Sequence, residues 1–267
     1  MDKKQRVAQF LLGLTATIGV AGAQTITVDI TDADVIDVDP NTATVANLPG
    51  PDGHISFSEA MIASNNTPGR QTVAFAIPTS QWTHMPWYYP GRAVIYGMMF
   101  YTNASAEVTI DGTTQTAFTG DTNPDGWEVV ILRNSLYFAA DNCTITGLDQ
   151  TPIYIEGSNN VVVNNSAVGI EFYGGTGSAG SGSGNLVKDN TGSLQIVEAN
   201  NNVVVGNTLN RVRLSGQNNR IGGPTLAERN HIIGTGTWSS QGVPGGFAIG
   251  LANSTGTIIE NNFAATP

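Results

Sequence analysis

The feature that most constrains this chain is a short phrase that keeps returning between Ser158 and Glu228. Two Asn sit five residues apart around an aliphatic core in Asn160-Val-Val-Val-Asn-Asn165, Asn185-Leu-Val-Lys-Asp-Asn190 and Asn202-Val-Val-Val-Gly-Asn207. Looser copies follow in Asn219-Arg-Ile-Gly-Gly223 and Gly256-Thr-Ile-Ile-Glu-Asn261. An alternating run lies before each copy: Ile153-Tyr-Ile-Glu156, Gly169-Ile-Glu-Phe-Tyr173, Leu194-Gln-Ile-Val197 and Arg211-Val-Arg-Leu214. Successive copies start 25, 17 and 17 residues apart, which leaves no room for a helix between strands. Repeats of about 20 residues built from short strands read as stacked β units.

One such unit cannot bury its apolar face alone. Stacking would set Ile153/Ile155, Ile170/Phe172, Leu194/Ile196 and Val212/Leu214 in columns. Asn at the same point of successive turns can pass amide hydrogen bonds up the stack. Gly and Asn also tolerate the left-handed backbone that tight corners need. An antiparallel sandwich would instead show hairpin signals between strands and would leave the Asn spacing without a reason. The fold expected is therefore all-β, a parallel β-helix (solenoid).

Residues 1–23 read as a secretory signal. Lys3, Lys4 and Arg6 precede an apolar run from Val7 to Val20, and Ala21-Gly-Ala23 supplies a small-residue cleavage pattern. A membrane anchor is the alternative, but the run is short and carries Gln9, Thr15 and Thr17. The expectation is a secreted or cell-surface protein with no membrane span in its mature chain. Three of the 11 Lys and Arg and one of the 21 acidic residues lie in this segment, so residues 24–267 carry eight basic and 20 acidic groups, a formal charge of −12. Such a surface repels phosphate, which argues against nucleic acid as a partner. Cys143 is the sole cysteine, so no disulfide can form within the chain.

The mature N-terminus reads as a cap over residues 24–78. Thr25-Ile-Thr-Val28 is a strand, and Ser56 to Ala63 is a helix with Ser56 and Glu59 as a capping box. A short amphipathic helix there would shield the first turn of the stack, leaving residues 79–267 for the coils. Asp29, Asp32, Asp34, Asp37 and Asp39 raise Ca2+ as a possible cofactor, though their spacing matches no EF-hand loop and solvated turn carboxylates are the commoner case.

Asp52-Gly-His-Ile-Ser-Phe-Ser-Glu-Ala60 with Asn65-Asn66, then Gln71-Thr-Val-Ala-Phe75, resembles the N-terminal module of bacterial exported β-helix proteins, whose usual core is Cys-Ser-Leu-Arg-Glu-Ala. Ile55, Phe57 and Ser58 stand here for its Cys, Leu and Arg. Thr109-Ile-Asp-Gly-Thr-Thr-Gln115 and Ile221-Gly-Gly-Pro-Thr-Leu-Ala-Glu-Arg-Asn-His-Ile-Ile-Gly234 are similar to further phrases of that group. The resemblance implies a right-handed parallel β-helix of the pectin-lyase-like type with a short N-terminal capping helix. It does not imply an activity, because that fold carries enzymes, adhesins and inert stalks alike.

Trp82, His84, Trp87, Tyr88, Tyr89, Tyr96, Phe100 and Tyr101 crowd one stretch broken by Pro86, Pro90 and Gly91. Aromatic rings on a loop can stack on sugar rings, or they can fold over the first coils as packing. Trp82, Trp87, Tyr88 and Tyr89 are the candidate substrate-binding residues. Alternation in the later strands throws Tyr154, Glu156, Glu171, Tyr173, Gln195, Arg211 and Arg213 outward as a stripe. Glu156 and Glu171 would stand about 5 Å apart if they share a column, near the separation of a retaining glycosidase pair. Arg211 or Arg213 could serve an elimination on an acidic sugar. A plain solvated face is the alternative.

The aspartate triplet and Gly-His-Gly phrase of polygalacturonase-like enzymes do not occur, nor does a nucleophile elbow, a zinc-spaced cluster or a phosphate loop. Two Gly-rich stretches, Gly174–Gly184 and Trp238–Gly246, read as surface insertions. The last repeat is followed only by Phe263-Ala-Ala-Thr-Pro267, with no closing cap, which suggests a C-terminal continuation or a docking partner. The expected function is non-catalytic binding of a polysaccharide or cell-surface glycan, or adhesion. A polysaccharide lyase or glycoside hydrolase on the stripe, and a structural stalk, are the alternatives.

Overall fold

The computed structural model describes residues 22–97, 103–132, 135–174, 182–233 and 249–265. Residues 1–21, most of the stretch read as a secretory signal, the end of the aromatic stretch at Phe100 and Tyr101, most of the Gly174–Gly184 insertion and the Trp238–Gly246 excursion lie outside them.

The protein is predominantly β, and all strand pairs among the described residues are parallel. One nine-stranded sheet runs from Thr25–Val28 through Gln71–Phe75, Val108–Asp111, Thr144–Thr146, Val161–Val163, Leu186–Lys188, Val203–Val205 and Arg220–Gly222 to Ile258–Glu260. A second runs from Asn103–Ala104 through Leu136–Phe138, Pro152–Ile155, Val168–Tyr173, Thr191–Val197, Thr208–Gln217 and His231–Ile233 to Phe263–Ala265, with Ile249–Thr255 also paired to Thr208–Gln217. A third, shorter sheet joins Ala93–Ile95, Val129–Ile131 and Leu148–Asp149. From Pro152–Ile155 to His231–Ile233 the chain passes back and forth between the two long sheets. Each strand pairs with the strand one repeat away.

The register aligns the apolar residues as the alternation requires. Ile145, Val162, Val187, Val204 and Ile221 form one buried column, and Phe138, Ile155, Phe172, Ile196 and Leu214 form another. On the last strands the residues that continue these columns, Leu251 and Ile259, are exposed, as are Ile258 and Phe263.

The Asn pairs become two buried ladders. On the first, Oδ1 of Asn160, Asn185, Asn202 and Asn219 accepts the backbone N–H one repeat back, at 2.6, 2.7, 2.9 and 2.9 Å. On the second, Asn165, Asn190, Asn207, Asn230 and Asn262 do the same at 3.0, 3.0, 2.8, 2.9 and 3.3 Å. Most of the amide nitrogens donate onward, as Asn190 Nδ2 does to Asn207 Oδ1 at 3.0 Å, whereas Asn219 Nδ2 donates to Ala199 O. This satisfies corner groups that neither sheet can pair. The residue before a ladder Asn takes left-handed backbone, as at Asn159, Asn164, Asp189 and Asn201 (φ between 55° and 58°). Asn, Asp and Gly are the residue types that occupy it readily.

Two ladder positions differ from the expectation. Asn230 belongs to the second ladder, although seven residues with a 3-10 turn at Leu226–Glu228 separate it from Gly222. In the last repeat the ladder residue is Asn262, not Asn261, because Arg220 pairs with Ile258 and so aligns Asn219 with Thr257.

At the other end, helix α1 (Phe57–Asn66) carries the expected capping box: Ser56 Oγ accepts from Glu59 N at 3.2 Å, and Glu59 Oε2 accepts from Ser56 N at 3.0 Å. The helix buries Phe57, Ala60 and Met61 in one core with Ile26, Val73 and Phe75. Asn65 and Asn66 fasten it, donating to the carbonyls of Asn103 at 2.7 Å and Ala43 at 3.0 Å. Cys143 is fully buried on the first ladder's line, and burial pushes its thiol up to about 11. Among the described residues no helix is long and apolar enough to cross a membrane.

Candidate functional site

The aromatic stretch leaves the strand Gln71–Phe75 and returns at Ala93–Ile95. The strand's free end is sealed by helix α2 (Thr113–Thr119), which the sequence reading did not contain. Gln115 is wholly buried: its Oε1 accepts Ile77 N at 2.8 Å and its Nε2 donates to Ile77 O at 3.0 Å. Thr114 Oγ1 accepts Phe75 N at 2.7 Å. The phrase Asp111-Gly-Thr-Thr-Gln115 is therefore a device for finishing a neighbouring strand. Its signal was the run of small polar residues after Asp111, whose Oδ1 accepts Thr113 N at 3.0 Å.

The four aromatic candidates separate by environment. Trp82 is half-buried against the core, and its Nε1 donates to Ile77 O at 3.2 Å. It fastens the loop. His84 stacks on Tyr96 with ring centroids 3.7 Å apart. Met85 then takes left-handed backbone (φ 47°) and its carbonyl accepts N–H bonds from both Tyr88 and Tyr89, at 2.9 and 3.0 Å. That tight turn projects Trp87 and Tyr88 into solvent, 77% and 73% exposed, with Tyr89 half-buried and its ring 6.5 Å from that of Tyr88.

The return of the loop is clamped. Gly91 (φ 70°) passes so close to Thr122 that an added Cβ would lie 2.0 Å from the Thr122 carbonyl oxygen. Thr122 Oγ1 donates to Gly91 O at 2.8 Å. Arg92 turns inward onto Asp149, Nε to Oδ2 2.5 Å, with side chains 10% and 2% exposed. The other Asp149 oxygen accepts from Ser166 Oγ at 2.7 Å, and Ser166 Oγ accepts Trp127 N at 3.1 Å. Two exposed rings thus stand on a loop fixed at both feet.

The outer face of the second long sheet holds the other candidates. Asn103, Tyr137, Tyr154, Glu171, Gln195 and Arg213 lie in one column by register, and Pro152, Gly169, Ser193 and Arg211 in the next. The register corrects one expectation. Glu171 stands opposite Tyr154, while Glu156 lies two residues further along its strand, so the two glutamates do not share a column. Their Cα atoms are about 8 Å apart on a diagonal.

Each glutamate is also engaged. Tyr173 Oη donates to Glu171 Oε2 at 2.7 Å, which with partial burial pushes the phenol up to about 12. Burial and a hydrogen bond to Glu156 push Tyr137 to about 12 as well. The Tyr154 and Tyr173 rings stack 5.9 Å apart and nearly parallel. Arg211 and Arg213 both have interactions of their own. Glu171 and Arg213 are two strands apart, about 10 Å between Cα atoms.

Carboxylates of the acidic N-terminal segment hold groups of the cap and its turns. Asp29 accepts Ile55 N at 2.8 Å and bonds His54 Nδ1 at 3.1 Å, Asp37 accepts Asp52 N at 2.6 Å, and Asp39 accepts Asn41 N at 2.9 Å. Among the described residues no three His, Cys, Asp or Glu converge on one point. The loops missed by sequence reasoning add Phe118, 53% exposed on α2, and the exposed Asp121 and Asp125 beside Thr122. Comparison with protein families, curated proteins and solved structures found no match to this chain.

Proposed function

We propose that this protein is an exported right-handed parallel β-helix that binds glycan at its aromatic corner without turning it over. Supporting the fold are the exclusively parallel pairing of the described strands, the alternation between two long sheets and the in-register ladders. Supporting export are the basic and apolar start of the sequence and the resemblance of the 52–75 stretch to the cap of bacterial exported β-helix proteins.

The observation that carries the binding function is the pair Trp87 and Tyr88, both about three-quarters exposed on a loop anchored by Trp82, Gly91 and Arg92. Large rings held in water on a rigid base have no packing role to explain them. A rigid aromatic surface loses little conformational freedom when a sugar ring stacks on it. The stripe is the weaker place for chemistry, since Glu156 and Glu171 each hold a tyrosine hydroxyl and stand on a diagonal.

The test is a pull-down of the full chain on a polysaccharide panel, with assays for new reducing ends and for the ultraviolet absorbance of unsaturated uronates. Retention without turnover is expected, lost in the Trp87→Ala/Tyr88→Ala double variant while its melting curve stays unchanged. Turnover that disappears in Glu171→Gln or Arg213→Ala would replace this function with an enzyme on the stripe. Neither retention nor turnover would leave a structural stalk.

A further inference from the structure

The charge around the aromatic corner bears on which glycan it takes, an inference that rests on the binding function just proposed. Basic and acidic residues are unevenly divided along the chain. Residues 24–174 contain 16 acidic and three basic residues, whereas residues 175–267 contain four acidic and five basic. The corner belongs to the acidic part.

Between Gln71 and Leu132 the sequence has a single Lys or Arg, Arg92, and its guanidinium is turned into the interior and paired with Asp149. His84 is stacked beneath the loop on Tyr96. The turn that touches the loop through Thr122 and Gly91 carries Asp121 and Asp125, both exposed. Neither carboxylate forms a hydrogen bond or ion pair with another described residue. Other carboxylates near the corner are engaged, Asp111 by Thr113 and the buried Glu128 by Thr116 and Thr122.

A ligand at Trp87 and Tyr88 therefore binds within the acidic part of the chain, where the neighbouring turn carries two exposed carboxylates and where, among the described residues from Gln71 to Leu132, no Lys or Arg is exposed to receive an anionic group. We infer that the ligand is a cationic glycan, a polymer bearing free amino sugars, and that uronate or sulfated glycans are excluded. Sugar ammonium groups would be drawn by Asp121, Asp125 and the net charge, and the indole face of Trp87 accepts a cation as well as a sugar ring. An acidic polysaccharide would bring like charge against the same groups, which is repulsive at every point of contact.

The experiment measures equilibrium binding of the full chain to chitosan oligomers, to fully acetylated chitin oligomers, to polygalacturonate oligomers and to polylysine, all of similar length. Each is run at low salt and again at about tenfold higher salt, where the Debye length shrinks about threefold. The expected order is chitosan first, acetylated chitin weaker, and no polygalacturonate binding. Chitosan affinity should fall about tenfold with salt, by several-fold in Asp121→Asn/Asp125→Asn, and to background in Trp87→Ala/Tyr88→Ala.

Equal binding of acetylated and deacetylated oligomers, or any preference for polygalacturonate, overturns the cationic assignment while leaving an aromatic glycan site in place. Polylysine bound as tightly as chitosan, with Trp87 and Tyr88 dispensable, overturns the site itself and leaves only polyelectrolyte attraction. Both aspartates are exposed, so their amide variants keep the fold, and circular dichroism checks that they do.

Discussion

The stretch from Asn160 to Asn230 and the stretch from Gln71 to Asp149 close the same kind of corner by different means. In the first, one residue type at one position does it: an Asn whose Oδ1 accepts the neighbouring repeat's N–H and whose Nδ2 continues the line. The cost in chain is small, and repeats of 17 residues result. In the second, corners are closed by long connections, residues 76–92 and 112–128, using Gln115, Thr114 and the Arg92–Asp149 pair. Apart from the Gly174–Gly184 stretch and the turn at Leu226–Glu228, the regular part has little chain to spare beyond its sheets. The irregular part has more, and that is where Trp87 and Tyr88 reach solvent. A repeat that is perfectly economical is poor ground for a site, and the candidate site stands where the ladder is absent.

The sharpest way to break this comparison is to cut the ladder at mid-stack. Asn190→Leu keeps the branched shape but removes the acceptor of Asn165 N and Nδ2 and the donor to Lys188 O and Val162 O. Several buried polar groups lose partners at once, so a loss of about 4 kcal/mol or more is expected from urea unfolding midpoints at unchanged m. A loss under about 1 kcal/mol would mean that the strands alone hold the corner.

The irregular region should respond differently. Arg92→Met leaves Asp149 buried without its partner and is expected to cost about 3–5 kcal/mol, whereas Arg92→Met with Asp149→Leu should recover most of it. Thermal melts of the two variants decide the matter. No recovery in the double variant would show that the packing of the Arg92 stem, not the charge pair, holds the loop.

The smallest effect concerns pH. Ladder amides do not titrate, whereas the N-terminal region carries a histidine paired with a carboxylate. The hydrogen bond and charge of Asp29 raise His54 above its ordinary value of 6.5. A folded-state pKa raised in this way adds stability that is complete below about 6.5 and disappears as pH rises through the folded value. The stability of wild type should therefore decline across that window, and His54→Gln should lose this part of the slope. Parallel pH profiles of the two proteins would remove the pair from the account. His54 is on the surface, so the effect is small and weakened by salt.

Much of the stack was legible without coordinates. Two Asn five residues apart, aliphatic residues between them and an Asn, Asp or Gly before each are local requirements of a tight corner, and local requirements are written in adjacent residues. Alternation in Ile153–Ile155 and Ile170–Phe172 likewise declares which side chains face inward. The capping box at Ser56 and Glu59 is legible for the same reason.

What only the tertiary structure decided is register and environment. Asn230 joins the second ladder across an inserted 3-10 turn, and Asn262 rather than Asn261 ends it, because strand pairing and not sequence spacing sets the alignment. Glu156 and Glu171 fall on a diagonal because their strands pair with a two-residue offset between them. Trp82 and Trp87 are chemically identical and five residues apart, yet one is a fastening and the other a platform. The difference lies in what each meets: Ile77, one strand's end, receives Trp82, while Thr122 and Asp149, from other turns of the chain, fix the loop that presents Trp87. Local propensity acts through covalent neighbours. Exposure and alignment are decided by residues that are distant in sequence and close only in the folded molecule.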